Sequence, residues 1–112
     1  MVIARAAWYA FFLIATAWPA TGEDGVASTY GRSSGSRVAC GGELDESALT
    51  AAHKTLRCGS RARVTNEANG QSVRVRINDR GPFEEGRVID LTPAAAKAIG
   101  MTGLARVSVM PE

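Results

Sequence analysis

Between residues 73 and 77 the chain alternates strictly, with Val73, Val75 and Ile77 apolar and Arg74 and Arg76 basic. A period of two predicts a strand with one buried face. The alternation ends at Asn78-Asp79-Arg80-Gly81-Pro82, where Asn and Asp bond their own backbone, Gly takes positive φ and Pro forbids a continued ladder. Upstream, residues 61–66 alternate more weakly, and Asn69-Gly70 separates the two runs. That dipeptide is a strong hairpin signal, so 61–66 and 72–78 are predicted to pair antiparallel. Further short strands are predicted over 26–30, 87–91 and 106–110. Thr92 is a good N-cap and Pro93 a good first helical residue, which predicts a short helix through Ile99 that Gly100 stops. Residues 31–37 read as a loop. Residues 43–53 read as a loop with one turn of helix, because Ala48-Leu-Thr-Ala-Ala52 lacks a sustained 3.6-residue repeat. Many short strands, one firm helix and one small core predict a compact, mainly β barrel.

The first twenty residues stand apart. Arg5 is their only charge, and the run from Ala6 to Ala17 carries Trp8, Tyr9, Phe11, Phe12, Leu13 and Ile14. A basic start, a short apolar stretch and the small-x-small pattern Ala15-Thr16-Ala17 predict a signal peptide over 1–20, with an uncleaved anchor as the alternative. The domain is then residues 23–112, exported to a periplasm or secreted. No Cys follows the apolar run, so lipid anchoring is not expected.

About 90 residues bury a low fraction of their surface, and a covalent staple helps at that size. The two cysteines, Cys40 and Cys58, most simply form one disulfide in an exported chain. A catalytic thiol is the weaker alternative. One His and no Cys-x-x-Cys argue against a structural metal site, and no cofactor is expected. Net charge is +2, with no basic helix or Lys/Arg run, which argues against nucleic acid and only permits attraction to an anionic wall polymer.

Chemistry concentrates after the alternating strand. Asp79 is presented at the end of a rigid element, on a turn whose geometry is over-determined, where a catalytic carboxylate would be placed. The same residues also suit an ordinary turn former with a solvated side chain.

The motifs, in order, resemble the rare lipoprotein A (RlpA) family. They are Val26-Ala-Ser-Thr-Tyr30-Gly31; Leu49-Thr-Ala-Ala-His53-Lys-Thr-Leu56; Val64-Thr-Asn66 with Asn69-Gly70; Val75-Arg-Ile-Asn-Asp79-Arg-Gly-Pro-Phe83; and Gly86-Arg-Val-Ile-Asp90-Leu91-Thr-Pro-Ala-Ala-Ala96 with Ile99-Gly100-Met101. The resemblance covers residues 25 to 110. It implies a six-stranded double-psi β-barrel, as in expansins and barwin-like proteins, acting as a monomer. It implies an endolytic lytic transglycosylase that cuts peptidoglycan glycan strands, preferring those without stem peptides, and leaves 1,6-anhydro-muramyl ends. The family's catalytic Asp falls on Asp79, its His on His53 and its Glu on Glu43, with Asp90 in a supporting role.

A hydrolase acting on a glycoside usually needs two carboxylates. A lytic transglycosylase needs fewer protein groups, because the sugar's own 6-hydroxyl attacks the anomeric carbon. In this reading partly desolvated Asp79 is the acid/base, and His53 and Glu43 orient and tune it. His53 equally suits a residue capping its own turn, and Glu43 an exposed loop acid. Tyr30, Arg80, Phe83 and Thr50 are the substrate-binding candidates, the two rings as sugar platforms. Phe83 also fits a plug at the barrel end. Thr29 stands where the family often has an aromatic residue, one ring fewer. The second reading is a non-catalytic, expansin-like module that binds or loosens wall polysaccharide.

Overall fold

The computed structural model describes residues 22–112; the expected signal peptide over residues 1–20 lies outside the described residues. Six strands close into a barrel. They are β1 (Glu23–Thr29), β2 (Thr50–Ala52), β3 (Arg61–Asn66), β4 (Ser72–Asp79), β5 (Arg87–Leu91) and β6 (Ala105–Pro111), and one helix, α1 (Pro93–Ala98), lies between β5 and β6. Around the barrel the order is β1-β5-β2-β4-β3-β6. Two neighbouring pairs are parallel, β1 with β5 and β2 with β4, and each carries a register shift, at Val26/Ala27 and at Ala51/Ala52.

The alternation in β4 does what its period dictates. Val73, Val75 and Ile77 face the core while Arg74 and Arg76 face solvent. Register carries the pattern across the wall: Ala62 opposes Val75, and Val64 opposes both Val73 and Val109. Ala27, Ile89, Leu91 and Val107 join the interior, and Ala95 and Ala96 of α1, with Ile99 just after it, belong to the same buried cluster. Thr92 caps α1, its side-chain oxygen accepting from the Ala95 N–H at 3.3 Å. The Asn66 and Asn69 side-chain amides donate to the Ile99 carbonyl at 2.8 and 3.1 Å, so the β3–β4 turn satisfies a carbonyl at the end of that helix.

The expected helical turn within 43–53 is instead strand β2. Its residues are buried throughout, because β2 sits between β4 on one side and β5 on the other. An alanine-rich segment enclosed on every side shows no alternation, which is why its sequence does not read as a strand. Residues 31–37 hold a short 3-10 turn, Arg32–Ser34. The long connection from β1 to β2 is pinned at several points. Leu44 is buried within it, the Thr92 hydroxyl donates to the Ala48 carbonyl at 2.6 Å, and the Ala94 N–H donates to the Glu46 carbonyl at 3.1 Å. The expected disulfide is present, with Cys40 and Cys58 Cα atoms 5.8 Å apart.

Candidate active site

Strand β4 ends at Asp79, and the next residues turn sharply through Gly81, whose φ of 121° is a conformation that favours glycine. The Asp79 carboxylate is held from two directions. Its Oδ1 accepts the backbone N–H of Ala39 at 2.7 Å and of Arg80 at 2.9 Å. Its own carbonyl accepts the His53 N–H at 3.1 Å. The two bonds to Oδ1 fix Asp79 in place more firmly than a solvated turn residue would be, with Oδ2 outside them.

That cavity, of about 500 Å³, is lined by Tyr30, Ala52, Asp79, Arg80, Gly81, Pro82, Phe83, Glu84 and Asp90. Asp90 comes from β5 and is half-buried. Burial pushes its carboxyl above the ordinary carboxylate range, against the hydrogen bond it accepts from the Ser28 hydroxyl. The Tyr30 hydroxyl is buried and has no hydrogen-bond partner. Burial raises its proton affinity first, and the charges of Asp79 and Asp90 raise it further. Three acidic residues, Asp79, Glu84 and Asp90, thus line one space together with Tyr30, whose hydroxyl has no partner. Phe83 stands at the rim, 79% exposed, with the free ring face a sugar platform needs.

The other expected site residues are placed differently. The His53 ring is buried; Nδ1 accepts the Thr55 and Leu56 N–H groups, both at 3.1 Å, and Nε2 bonds Glu23. With Nδ1 accepting, the ring proton sits on Nε2 and is donated to the Glu23 carboxylate. The imidazole caps its own turn, and His53 meets the Asp79 corner through its backbone. The Arg80 guanidinium donates to the His53 and Leu56 carbonyls at 2.9 and 2.6 Å and approaches Cys58 Sγ at 3.6 Å. It braces the same turn. Glu43 is exposed and lines a separate groove of about 360 Å³ with Cys40, Asp45, Cys58, Arg76 and Asn78. Thr50 is buried in β2, its hydroxyl without a partner, and is not among the cavity-lining residues.

Sequence reasoning missed Glu23, Ser28, Glu84 and the Ala39 amide. Only Ser28 left a trace, since it lies in the same quoted motif as Tyr30. The rest depend on a loop path that no periodicity records.

A closed six-stranded barrel with two parallel strand pairs and an acidic cavity at the end of β4 defines a double-psi β-barrel protein. Among solved structures of that fold, an expansin from Clavibacter michiganensis superposes with a TM-score of 0.64 at 24% identity, over 82% of this chain and 50% of that one. A Streptomyces papain inhibitor gives 0.62 at 21% identity, over 82% and 96%. At such identities the likeness concerns the fold. The chain belongs to the lytic transglycolase family, whose model matches residues 22–110. A relative from Synechocystis sp. is 60% identical over 78 residues, 69% of this chain and 24% of that protein. The endolytic peptidoglycan transglycosylase RlpA of Pseudomonas aeruginosa is 56% identical over 88 residues, 76% of this chain and 26% of that protein. This chain therefore spans about a quarter of the length of these two relatives.

Proposed function

We propose that this domain is an exported lytic transglycosylase that cuts peptidoglycan glycan strands within their length and leaves 1,6-anhydro-muramyl ends. The observation that carries the reading is the pairing of Asp79 and Asp90 across one cavity, with carboxyl environments that differ. In the proposed mechanism Asp90, whose carboxyl burial favours the protonated form, gives its proton to the leaving glycosidic oxygen as the C1–O bond breaks. Asp79, with Oδ1 already occupied by two backbone donors, takes the proton of the 6-hydroxyl on Oδ2 as that oxygen bonds to C1. Tyr30 donates its free O–H to a sugar oxygen in the gap between them, and Phe83 supports a sugar face at the rim. His53 and Arg80 act as positioning residues, through the turn they brace.

Glu43 lies outside this cavity, in a groove on whose wall Asn78 immediately precedes Asp79; we assign it to a sugar unit further along the strand. Asp79, Glu84 and Asp90 give the cavity three acidic side chains, while its one guanidinium is engaged with carbonyls. That balance suits a neutral polyol and disfavours sugars bearing charged peptide stems, in keeping with a preference for peptide-free strands.

The test is digestion of peptide-free glycan strands by the 22–112 domain, with products resolved by mass spectrometry. New 1,6-anhydro ends that vanish in Asp79→Asn are expected. The expansin-like alternative draws support from the fold neighbours, one of them a mutant expansin described in complex with cellohexaose. Strands that are bound but stay intact would favour it and sink the enzyme reading.

A further inference from the structure

The outward face of the β3–β4 hairpin carries four arginines in two directly opposed pairs, Arg61 across from Arg76 and Arg63 across from Arg74. All four are exposed. Like charges placed directly opposite on a sheet repel, and the rest of the chain offers little relief. Among the described residues Glu112 alone bridges Arg63 and Arg74, at 3.4 and 2.6 Å, and those side chains stay 52% and 59% exposed. Arg61 and Arg76 have no ion pair among the described residues, although Arg76 shares its groove with Glu43 and Asp45. In a chain whose net charge is only +2, this is a concentrated basic face that shares no residue with the acidic cavity. On an antiparallel ladder the four arginine side chains start from Cβ atoms about 5 Å apart across the strands and about 7 Å apart along them. Each group can engage a carboxylate through two parallel N–H donors.

We propose that this face is a second binding surface, separate from the cavity, that grips the carboxylates of peptide stems on the intact wall around a peptide-free stretch. The proposal rests on the wall being the substrate, yet its readout is binding and needs no cleavage. The cavity, acidic and without a free cation, takes the neutral strand; the arginine face takes the charged neighbourhood. The split explains how a domain whose site disfavours stem peptides is still held on material rich in them.

The test compares wild type with the triple variant Arg61→Gln/Arg63→Gln/Arg74→Gln, which leaves Arg76 beside the Glu43 groove untouched. Sedimentation with intact sacculi should show roughly tenfold weaker binding for the variant at low salt. The wild-type advantage should shrink as salt is raised. Cleavage of soluble peptide-free strands should be equal for the two proteins. Melting temperature should not fall, since the repulsion is relieved and exposed ion pairs contribute little. Equal binding of the two proteins to intact sacculi overturns the proposal. So does a wild-type advantage that survives removal of the stem peptides by amidase and disappears only after wall phosphate polymers are extracted; that would assign the face to phosphate. Absence of cleavage by wild type, with the binding difference intact, would remove the enzyme reading and leave this surface standing.

Discussion

The backbone N–H of Ala39 donates to Asp79 Oδ1 at 2.7 Å, and the next residue, Cys40, is bonded through sulfur to Cys58. The two halves of the bridge are stitched to consecutive residues of β4: the Cys40 N–H donates to the Asn78 carbonyl at 3.0 Å and the Gly59 N–H to the Ile77 carbonyl at 2.7 Å. The disulfide is therefore part of what aims the carboxylate. Cys40→Ser with Cys58→Ser should lower unfolding free energy by about 3 kcal/mol for a loop of this length. It should also lower activity under conditions where the domain remains folded. Denaturant midpoints with and without reductant, together with the glycan digest, check both; an unchanged midpoint would separate the bridge from stability.

Asp79→Asn separates the scaffold role of this residue from its chemistry. The amide oxygen can still accept from Ala39 and Arg80, so stability should stay within about 1 kcal/mol of wild type. Proton transfer is lost, and cleavage should fall by about a hundred- to ten-thousandfold. A folded variant cutting at the wild-type rate would place the chemistry elsewhere.

Where a buried face alternates with an exposed one, the sequence is a direct record of the fold. The β4 run and the Asn69-Gly70 turn were legible for that reason, as was the Thr92-Pro93 helix start, where capping chemistry is local. β2 was not, since a strand enclosed between β4 and β5 has no exposed face to mark its period. At the site, Asp79 could be read from its position at a strand end. The roles of His53 and Arg80 could not, because they depend on which backbone groups in residues 53–58 need partners, a matter of three-dimensional path. Asp90 gains weight from its burial and its nearness to Tyr30, neither of which a motif can display.

Tyr30→Phe keeps the ring and removes only the unpartnered hydroxyl. In the free protein that O–H has no hydrogen bond to lose, so melting temperature should be unchanged or slightly higher. With substrate bound, the sugar oxygen loses a donor in a site partly shielded from water, and kcat should fall by about tenfold with KM little altered. A variant with wild-type kcat would reduce Tyr30 to a wall of the cavity.

His53→Ala tests whether the imidazole acts as a cap. Truncation leaves the Thr55 and Leu56 N–H groups without their acceptor and opens a space in a buried position, for an expected loss of about 2 kcal/mol. Because Arg80 is tied to the His53 and Leu56 carbonyls, activity should fall too. His53→Asn, which can offer an oxygen to nearby backbone donors, should recover part of both. Recovery of stability without any recovery of activity would give the ring a direct part in the reaction.

Asp90→Asn should stabilise the protein at neutral pH while abolishing the proposed proton donation. Burial raises the Asp90 carboxyl above its unfolded value, so over the interval between the two values the folded protein holds a proton that the unfolded chain releases. Stability therefore declines as pH rises through that interval, and the whole cost remains at neutral pH. Asparagine has no charge to desolvate, and its side-chain oxygen can still accept from Ser28. Melting temperature should rise at pH 7. Below about pH 3, where the carboxyl is protonated in both states, the advantage should disappear. In the activity profile, wild type should lose cleavage as pH climbs past the raised Asp90 value, and the variant should show little cleavage at any pH. A variant less stable than wild type at pH 7, or one whose advantage over wild type is no larger there than at pH 3, would mean that the Ser28 hydrogen bond outweighs burial.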